Sequence, residues 1–459
     1  MRRVTLPVIA LALAALLPSA AAASAQASAR TSARTSAHTD HGQARTSYAT
    51  KAPYRPQQDA RSYQRAPAGF VPVFTENVSR HGSRAATSGE DGDLVLALWA
   101  KAGREGALTS LGASLGPEVR RLLDAMAKVG YGELSGRGKR ELRDTAVRLR
   151  ERLPALFDAM PANGERIDVV SSGKGRAVDS GTEFAGALVA ADPKLGPLVD
   201  PARTDADLLY FHKSDGGAAY RDYLDNDQRL AATLKKIREQ PRTRAAARDV
   251  LRKSFSAAFV DRMPAADQVA AAEAVHSLYA IAPSMSAEGD WRRFDRYIGA
   301  PGAAWFGYLD DAESFYENGP GFSDSDITYR MADVLLDDLF RQIEAKRSGK
   351  GDFGAVLRFT HAEEIMPLAA LMKLPGSERP ASPARPYTYA DNPWRGASVA
   401  PMAANIQWDL FRKGSVYLVR MLYNEKETAF KTGCRPVSKG SSFYNVDELE
   451  RCFGRVTDR

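Results

Sequence analysis

The chain has 459 residues, of which 44% are hydrophobic, and its 63 Lys and Arg outnumber its 56 Asp and Glu to give a net charge of +7. This length predicts two or three domains, or one core domain with a large insertion. The basic excess lies in residues 1–66, which hold nine Lys and Arg and two Asp, so residues 67–459 are neutral overall. Since a nucleic-acid-binding protein usually carries its basic excess on the folded domain, we expect no nucleic-acid partner, and an anion would need a local basic pocket.

The N-terminus has the pattern of a secretory signal peptide. Two arginines precede an apolar run that ends at Leu17, and a small-residue stretch follows and ends at Ala25. These features predict a signal peptide over residues 1–25 and a secreted protein, the alternative being a buried N-terminal helix. The apolar run is too short for a stable membrane anchor. Residues 26–66 show no sustained periodicity and are predicted to be a disordered linker.

Strand and helix patterns alternate after the linker. An apolar, β-branched run over residues 70–78 predicts a strand that leads to His81. A second buried strand over residues 167–171 runs into a glycine-containing turn with Arg176. Helical periodicity predicts helices at 94–102, 117–129, 137–160 and from the second turn through Ala190. This β-α-β rhythm is typical of parallel strands, whose C-terminal ends carry active residues.

Residues 201–350 have a different, mainly helical pattern. The periodicity predicts helices at 227–239, 243–260, 265–282, 302–317 and 325–347. Strand patterns return at residues 355–360, just before His361, and at 416–423. We therefore predict an α/β fold with a mostly parallel central sheet and flanking helices, made of residues 67–200 and 351–459, with an α-helical insertion domain over 201–350.

The three predicted strand ends carry the candidate site residues. They are Arg80, His81 and Arg84 on the first, Lys174 and Arg176 on the second, and His361 and Glu363 on the third. Arginine binds phosphate oxygens through a planar fork, and a neutral imidazole between such forks can attack phosphorus. The leaving alkoxide needs an acid, and Glu363 is the best-placed carboxylate. The set predicts a phosphatase that passes through a phosphohistidine. His361 would donate a further hydrogen bond to the phosphate.

Each of these signals is weak by itself. A histidine at a strand end is often a structural residue, and Arg176 alone could be a surface charge, so the prediction depends on the ordered set. Lys174 and Lys213 could bind outer phosphates of a polyanionic substrate, or they could be ordinary solvated lysines. The sequence His361-Ala-Glu-Glu is not the His-Glu-x-x-His zinc pattern, and we expect no metal and no other cofactor.

The set resembles the histidine phosphatase superfamily, in its acid phosphatase and phytase branch. That branch has the signature Arg-His-Gly-x-Arg-x-Pro, and this chain has Arg80 to Ala86 there, with alanine in place of the proline. The sequence His361-Ala-Glu363 looks like the multiple inositol polyphosphate phosphatases of that branch. The resemblance implies an α/β domain beside an α-helical domain, phytate and smaller inositol phosphates as substrates, and no metal cofactor. It also implies a nucleophile, a proton donor and a set of phosphate ligands, which are respectively His81, Glu363, and Arg80, Arg84, Arg176 and His361.

Alternatives to this function and to the pairing of the cysteines stay open. The same residues could belong to a broad-specificity acid phosphatase, or to a secreted anion-binding protein without catalysis. Cys434 and Cys452 are the two cysteines of the chain. In an exported protein such a pair is more often bridged than free, and two unpaired thiols are the alternative.

Overall fold

Eight β-strands form one sheet in residues 47–455, the part of the chain that this computed structural model describes. They are β1 (Val71–Arg80), β2 (Arg166–Ser171), β3 (Arg203–Thr204), β4 (Phe353–Thr360), β5 (Asn405–Lys413), β6 (Val416–Tyr423), β7 (Lys426–Glu427) and β8 (Phe443–Asn445). Their order is β3-β2-β4-β1-β5-β6-β7, and β8 pairs with β6. The first four strands are parallel, whereas β5 to β8 pair in antiparallel fashion. The predicted α/β fold is confirmed, and the sheet is mixed rather than mostly parallel.

The α-helices surround this sheet and extend beyond it. In chain order they are α1 (Glu90–Arg104), α2 (Leu115–Val129), α3 (Gly136–Arg152), α4 (Pro154–Asn163), α5 (Gly175–Ala191), α6 (Ala206–Leu209), α7 (Ala218–Asn226), α8 (Gln228–Arg238), α9 (Pro241–Ser254), α10 (Ala257–Asp261), α11 (Ala265–Ile281), α12 (Phe294–Glu317), α13 (Asp333–Arg347), α14 (Ala362–Leu371), α15 (Gly396–Val399) and α16 (Val446–Phe453). The predicted helix at 137–160 is two helices, because Pro154 disfavours helical geometry at Leu153 and begins α4.

The sheet packs between two layers of helices. On one face, Leu357 and Phe359 of β4 lie in a core that includes residues of α3, α4 and α5. On the other face, Val356 lies in a core that includes residues of α13 and α14. Successive residues of β4 therefore point into opposite cores, which explains why this strand is buried along its length.

The C-terminal ends of three parallel strands meet at one edge of the sheet. Arg80 at the end of β1 is paired with Thr360 at the end of β4, and Ser171 at the end of β2 is paired with Phe359. The residues that follow these strands therefore start from neighbouring positions, as the sequence predicts for a parallel arrangement.

The helical region is larger than the predicted insertion. Residues of α9, α11 and α12 form a third core, and this core also contains Val95 of α1 and Leu122 of α2. The assignment of residues 67–200 to the α/β part is therefore wrong for these two helices, which pack with the insertion. Amphipathic periodicity identifies a helix but does not specify the helix that covers its apolar face.

The prediction of a disordered linker over residues 26–66 is wrong for residues 47–66. Short 3-10 turns occur at Ala49–Lys51 and Ala60–Ser62, and Tyr54 is buried with its hydroxyl donating to Glu425 (2.8 Å). We call residues 47–54 the N-terminal strap. Its packing relies on isolated side chains and backbone contacts, so it leaves no periodic pattern. Residues 1–46, with the predicted signal peptide and the first part of the linker, lie outside the described residues.

The C-terminal region contains the predicted disulfide. Cys434 and Cys452 are bonded, with their Cα atoms 5.3 Å apart, and the bond joins the loop after β7 to α16. A membrane-crossing helix would need a long apolar stretch, and no helix within residues 47–455 has one.

Candidate active site

The turn after β1 holds His81 in place through its backbone. The His81 amide donates to the carbonyl oxygen of Thr360 (2.9 Å) at the end of β4. The next amide, of Gly82, donates to Ser180 Oγ (3.3 Å) of α5. A Cβ atom at residue 82 would lie 2.6 Å from the carbonyl oxygen of Gly138, so the close approach of α3 requires glycine there.

The ring of His81 is buried, neutral and fixed in one tautomer. Its Nδ1 lies 2.9 Å from the carbonyl oxygen of Gly82. Because a carbonyl oxygen can only accept, Nδ1 carries the proton and Nε2 keeps its lone pair. Burial lowers the pKa of His81 well below 6.5, and the positive charge of Arg80 lowers it further, with smaller effects of Arg84 and Arg176. The structure thus presents an unprotonated ring nitrogen among three cations.

The three arginines have donor atoms that the protein itself does not satisfy. The Nε atoms of Arg80, Arg84 and Arg176 are buried and have no hydrogen-bond acceptor among residues 47–455. Burial lowers the pKa of Arg80 to about 9 and that of Arg84 to about 10, so both remain charged at neutral pH. Unpaired buried donors and charges are costly. Their arrangement around His81 is suited to an anion such as a phosphate group.

His361 adds a donor to this group. Its Nε2 lies 2.8 Å from Ser172 Oγ, and the Lys174 amide donates to the same oxygen (3.4 Å). The serine hydroxyl has a proton to donate to Nε2, and in the tautomer that accepts it the ring proton lies on Nδ1. This Nδ1 is buried and lacks a partner within the described residues. Burial lowers the pKa of His361 to about 3, assisted by the charge of Arg176, so the ring is neutral and has one N–H available for a ligand.

Glu363 lies in the first turn of α14, two residues after His361. Burial raises the pKa of Glu363, but interactions with His212, His361 and Arg80 outweigh burial and leave the pKa below 4.5. The carboxyl group is thus ionised at neutral pH in the free protein. The negative charge of a bound phosphate would raise its pKa and favour the protonated form.

The next carboxylate, Glu364, fixes the start of α14. Its Oε1 lies 2.5 Å from His212 Nδ1, and its Oε2 accepts from the His361 amide (3.3 Å) and the Thr360 hydroxyl (2.9 Å). Glu364 and His212 are both buried. Sequence reasoning assigned no role to either residue, because their pairing over 152 positions leaves no local signal.

Lys174 and Lys213, the candidate ligands for outer phosphates, are both exposed. The Lys174 ammonium lies 5.0 Å from the ring centroid of Tyr210, and that ring lies 5.1 Å from the ring of His361. Lys174 is therefore at the rim of the site. Lys213 follows His212, and its amide donates to the Tyr210 carbonyl oxygen (2.9 Å), which holds its backbone next to that of Tyr210.

Two backbone carbonyls that sequence reasoning missed hold Arg80. Its Nη1 donates to the carbonyl oxygens of Thr50 and Ala400, each at 2.6 Å. Thr50 belongs to the N-terminal strap, so the strap contributes directly to the site. Backbone carbonyls carry no side-chain signature, and no motif could have identified them.

Other contacts support the loop in which Ala86 replaces the signature proline. Glu141 of α3 accepts from the Ser83 amide (2.8 Å) and hydroxyl (3.0 Å). The Ala86 carbonyl accepts from the Gly132 amide (2.7 Å), whereas the Ala86 amide makes only a weak contact with Met126 Sδ (3.4 Å). The loop is thus held by α3 and by the turn before it rather than by a proline ring.

Residues 47–455 contain no group of three or more His, Cys, Asp and Glu side chains placed to hold a metal ion. The chemistry of the site as described is that of anion binding beside a neutral imidazole and a carboxyl group. Three arginines and one histidine supply the donors, and their unpaired atoms are Arg80 Nε, Arg84 Nε, Arg176 Nε and His361 Nδ1.

Comparison with known proteins relates the chain to a family of phosphatases. The family model of the histidine phosphatase superfamily (branch 2) matches residues 74–424. Multiple inositol polyphosphate phosphatase 1 from Gallus gallus is 28% identical over 410 residues, which is 84% of each chain. The Homo sapiens protein of the same name is 25% identical over 385 residues, covering 78% of this chain and 74% of that one.

Solved structures extend the comparison to the fold. The multiple inositol polyphosphate phosphatase of Bifidobacterium longum, in complex with inositol hexasulfate, is 32% identical with a TM-score of 0.83, covering 89% of this chain and 97% of that one. The phytase from D. castellii shares the fold at 16% identity and a TM-score of 0.65, covering 90% of this chain and 85% of that one. The chain therefore belongs to branch 2 of the histidine phosphatase superfamily and is a phosphoric monoester hydrolase.

Proposed function

We propose that the protein is a secreted phosphatase that hydrolyses phytate and lower inositol phosphates through a phosphohistidine intermediate. One observation carries the proposal: a neutral histidine with a free Nε2 lies among four side chains whose buried donor atoms lack acceptors within residues 47–455. Buried donors without acceptors destabilise the fold, whereas the oxygens of a phosphoryl group would accept hydrogen bonds from these four side chains.

In the first step, Nε2 of His81 attacks phosphorus and the bond from phosphorus to the ester oxygen breaks. Arg80, Arg84, Arg176 and His361 hold the non-bridging oxygens, where the charge of the transition state is spread. Protonated Glu363 gives its proton to the leaving oxygen, which departs as the alcohol. The proton of His81 stays on Nδ1, which donates it to the Gly82 carbonyl oxygen, so the ring carries a positive charge once Nε2 is bonded to phosphorus.

In the second step, water replaces the alcohol. The Glu363 carboxylate takes a proton from the water while the oxygen attacks phosphorus, and the nitrogen–phosphorus bond breaks. Phosphate leaves, His81 returns to its neutral tautomer, and Glu363 is protonated for the next cycle. The same carboxyl group thus serves as acid and then as base, and no other proton carrier is needed.

The substrate class is inferred from the relatives and from charge. The curated relatives are named for inositol polyphosphates, and the Bifidobacterium longum structure holds inositol hexasulfate, a polyanion of the same shape as phytate. Lys174 at the rim supplies a further positive charge for a phosphate outside the central group. Secretion is supported by the signal-peptide pattern and by the disulfide, a bond favoured in oxidising compartments.

The test is an assay of residues 26–459 with phytate in the presence of a chelator, with the products resolved over time. We expect successive release of phosphate, and an acid-labile label on the protein after rapid quenching with phosphate-labelled substrate. His81→Ala should release no phosphate and take no label. Release of phosphate by His81→Ala at the wild-type rate would end the proposal.

The rival functions predict different results in the same assay. A broad-specificity acid phosphatase would hydrolyse simple phosphomonoesters with a kcat/KM equal to or above that for phytate. An anion-binding protein would bind phytate tightly and release no phosphate from it.

A further inference from the structure

A cavity of about 110 Å³ opens beside Arg84. Its lining includes Lys51 of the N-terminal strap and the loop residues Thr87 and Ser88, with Asp91 as its one carboxylate among the residues described. A buried water needs about 10–15 Å³ of such space, so this volume accommodates a group the size of a phosphate. Two cations, Arg84 and Lys51, therefore border a space next to the side chains that would donate hydrogen bonds to the phosphate.

The structure holds Lys51 at this place through the strap. The residue before it, Thr50, accepts a hydrogen bond from Arg80 (2.6 Å), and the Ala52 carbonyl after it accepts from the Met402 amide (2.9 Å). A Cβ atom at Gly307 would lie 2.8 Å from the Cα atom of Ser47, so α12 admits the strap only because residue 307 is glycine. Lys51 thus reaches the cavity from a fixed backbone.

The ammonium group of Lys51 has one carboxylate partner in the described chain. Its Nζ lies 2.9 Å from Asp310 Oδ2, and both side chains keep about a third of their surface exposed (32% and 31%). Asp310 also faces the ring of His276, whose Nδ1 lies 3.8 Å away. A partly exposed ion pair of this kind is weak, so the lysine can turn to a stronger anion at little cost.

From this geometry we infer that Lys51 binds a second phosphate group of the substrate whose first phosphate is held at Arg80 and Arg84, and so selects vicinal polyphosphates over monophosphates. The inference rests on the proposed function and deepens it. A phosphate next to the one under attack would lie between Lys51 and Arg84, and it would replace the Asp310 carboxylate as the partner of the ammonium. A monophosphate has no group to fill this space.

The test compares the ratio of kcat/KM for phytate to kcat/KM for p-nitrophenyl phosphate in four variants. In Lys51→Ala we expect the ratio to fall about tenfold, the size of one lost charged hydrogen bond. Lys51→Arg should retain most of the wild-type ratio. The matched control is Lys194→Ala, which should leave the ratio unchanged. Lys194 is exposed and lies beyond the C-terminal end of α5, a helix roughly 25 Å long that begins next to Arg176.

Asp310→Asn separates binding from a merely structural role. The substitution removes the ion pair but leaves the lysine, so the ratio of the two kcat/KM values should stay the same or rise. If the ion pair were only structural, Lys51→Ala and Asp310→Asn would lower the ratio equally. An unchanged ratio in Lys51→Ala, or equal losses in Lys51→Ala and Asp310→Asn, would overturn the inference. The proposed function would still be supported in that case if the wild type hydrolyses phytate. Absence of phytate hydrolysis in the wild type would instead refute the proposed function itself.

Discussion

The rings of His81 and His361 lie edge to face with their centroids 5.4 Å apart, and each uses a different nitrogen to contact the protein. His81 uses Nδ1, on the Gly82 carbonyl, whereas His361 uses Nε2, on the Ser172 hydroxyl. The free nitrogen of His81 is therefore an acceptor and that of His361 is a donor. Two histidines on neighbouring strand ends gain opposite chemistry because the hydrogen bond at one ring nitrogen sets the state of the other.

Because His81 is neutral, the rate of hydrolysis should not fall at acidic pH as it would with an ordinary histidine nucleophile. Because its pKa lies well below 6.5, its lone pair stays available when the medium becomes acidic. Glu363 must be protonated in the first step, so kcat for phytate should fall as pH rises above the pKa of that group in the complex. Since kcat/KM reports the pKa values of the free enzyme, we expect it to show no loss from protonation of His81 between pH 6.5 and pH 4.5, measured with substrate well below KM at each pH. A tenfold fall for each unit of pH below 6.5 would contradict the neutral state of His81.

The role of Glu363 predicts a dependence on the leaving group. In Glu363→Gln the leaving oxygen of phytate must depart without a proton, so kcat should fall by about 10²–10⁴. p-Nitrophenol leaves readily without protonation, so the rate of its release in the first-step burst should fall much less. Burst measurements with both substrates would separate the first step from hydrolysis of the phosphoenzyme.

A matched control for that variant is Asp124→Asn, which removes an exposed carboxylate of α2. It should leave both substrates at wild-type rates. Equal losses of the burst rate on phytate and p-nitrophenyl phosphate in Glu363→Gln would contradict the role of Glu363 as the acid of the first step, whereas steady-state rates also contain its role as the base of the second step.

The strand-end residues could be predicted because local pattern and topology agree on them. His81, Arg176 and His361 each follow a buried run, and parallel strands bring such positions to one edge. The antiparallel half was harder to predict. Residues 401–409 gave no clear pattern, and β5 begins within them with Asn405, Gln407 and Asp409, which are polar and buried. Their burial depends on partners far along the chain, which a periodicity argument does not detect.

The same limit explains what was missed in the site. The carbonyls of Thr50 and Ala400 act on Arg80 from distant segments, and His212 acts on Glu364 across 152 positions. None of these contacts belongs to a short motif. They depend on tertiary packing, and a single sequence carries no signal for a hydrogen bond between a side chain and a remote backbone atom.

Substitution of Asp409 in β5 tests whether buried ion pairs stabilise the antiparallel part of the sheet. Its carboxylate lies 3.0 Å from Arg152 Nη2 and 2.8 Å from Arg420 Nη2, and all three side chains are almost fully buried. Burial raises the pKa of Asp409, but Arg152 and Arg420 outweigh it and leave the pKa below 3.8. In Asp409→Asn buried Arg152 loses its carboxylate partner and Arg420 keeps only Glu427 at 3.5 Å, so the free energy of unfolding at pH 7 should fall by about 3–5 kcal/mol.

The pH dependence of that loss has a definite sign. A carboxyl group whose pKa is lower in the folded state stabilises the fold above its unfolded pKa, and the contribution is lost as pH falls through the folded value. The difference between wild type and Asp409→Asn, measured by urea unfolding from pH 7 to pH 3, should therefore hold above about pH 5 and narrow below it. Asp158→Asn, which removes an exposed partner of Arg150, is the control and should cost less than about 1 kcal/mol. A difference that stayed constant over this pH range would mean that the packing of the side chain, and not its charge, stabilises β5.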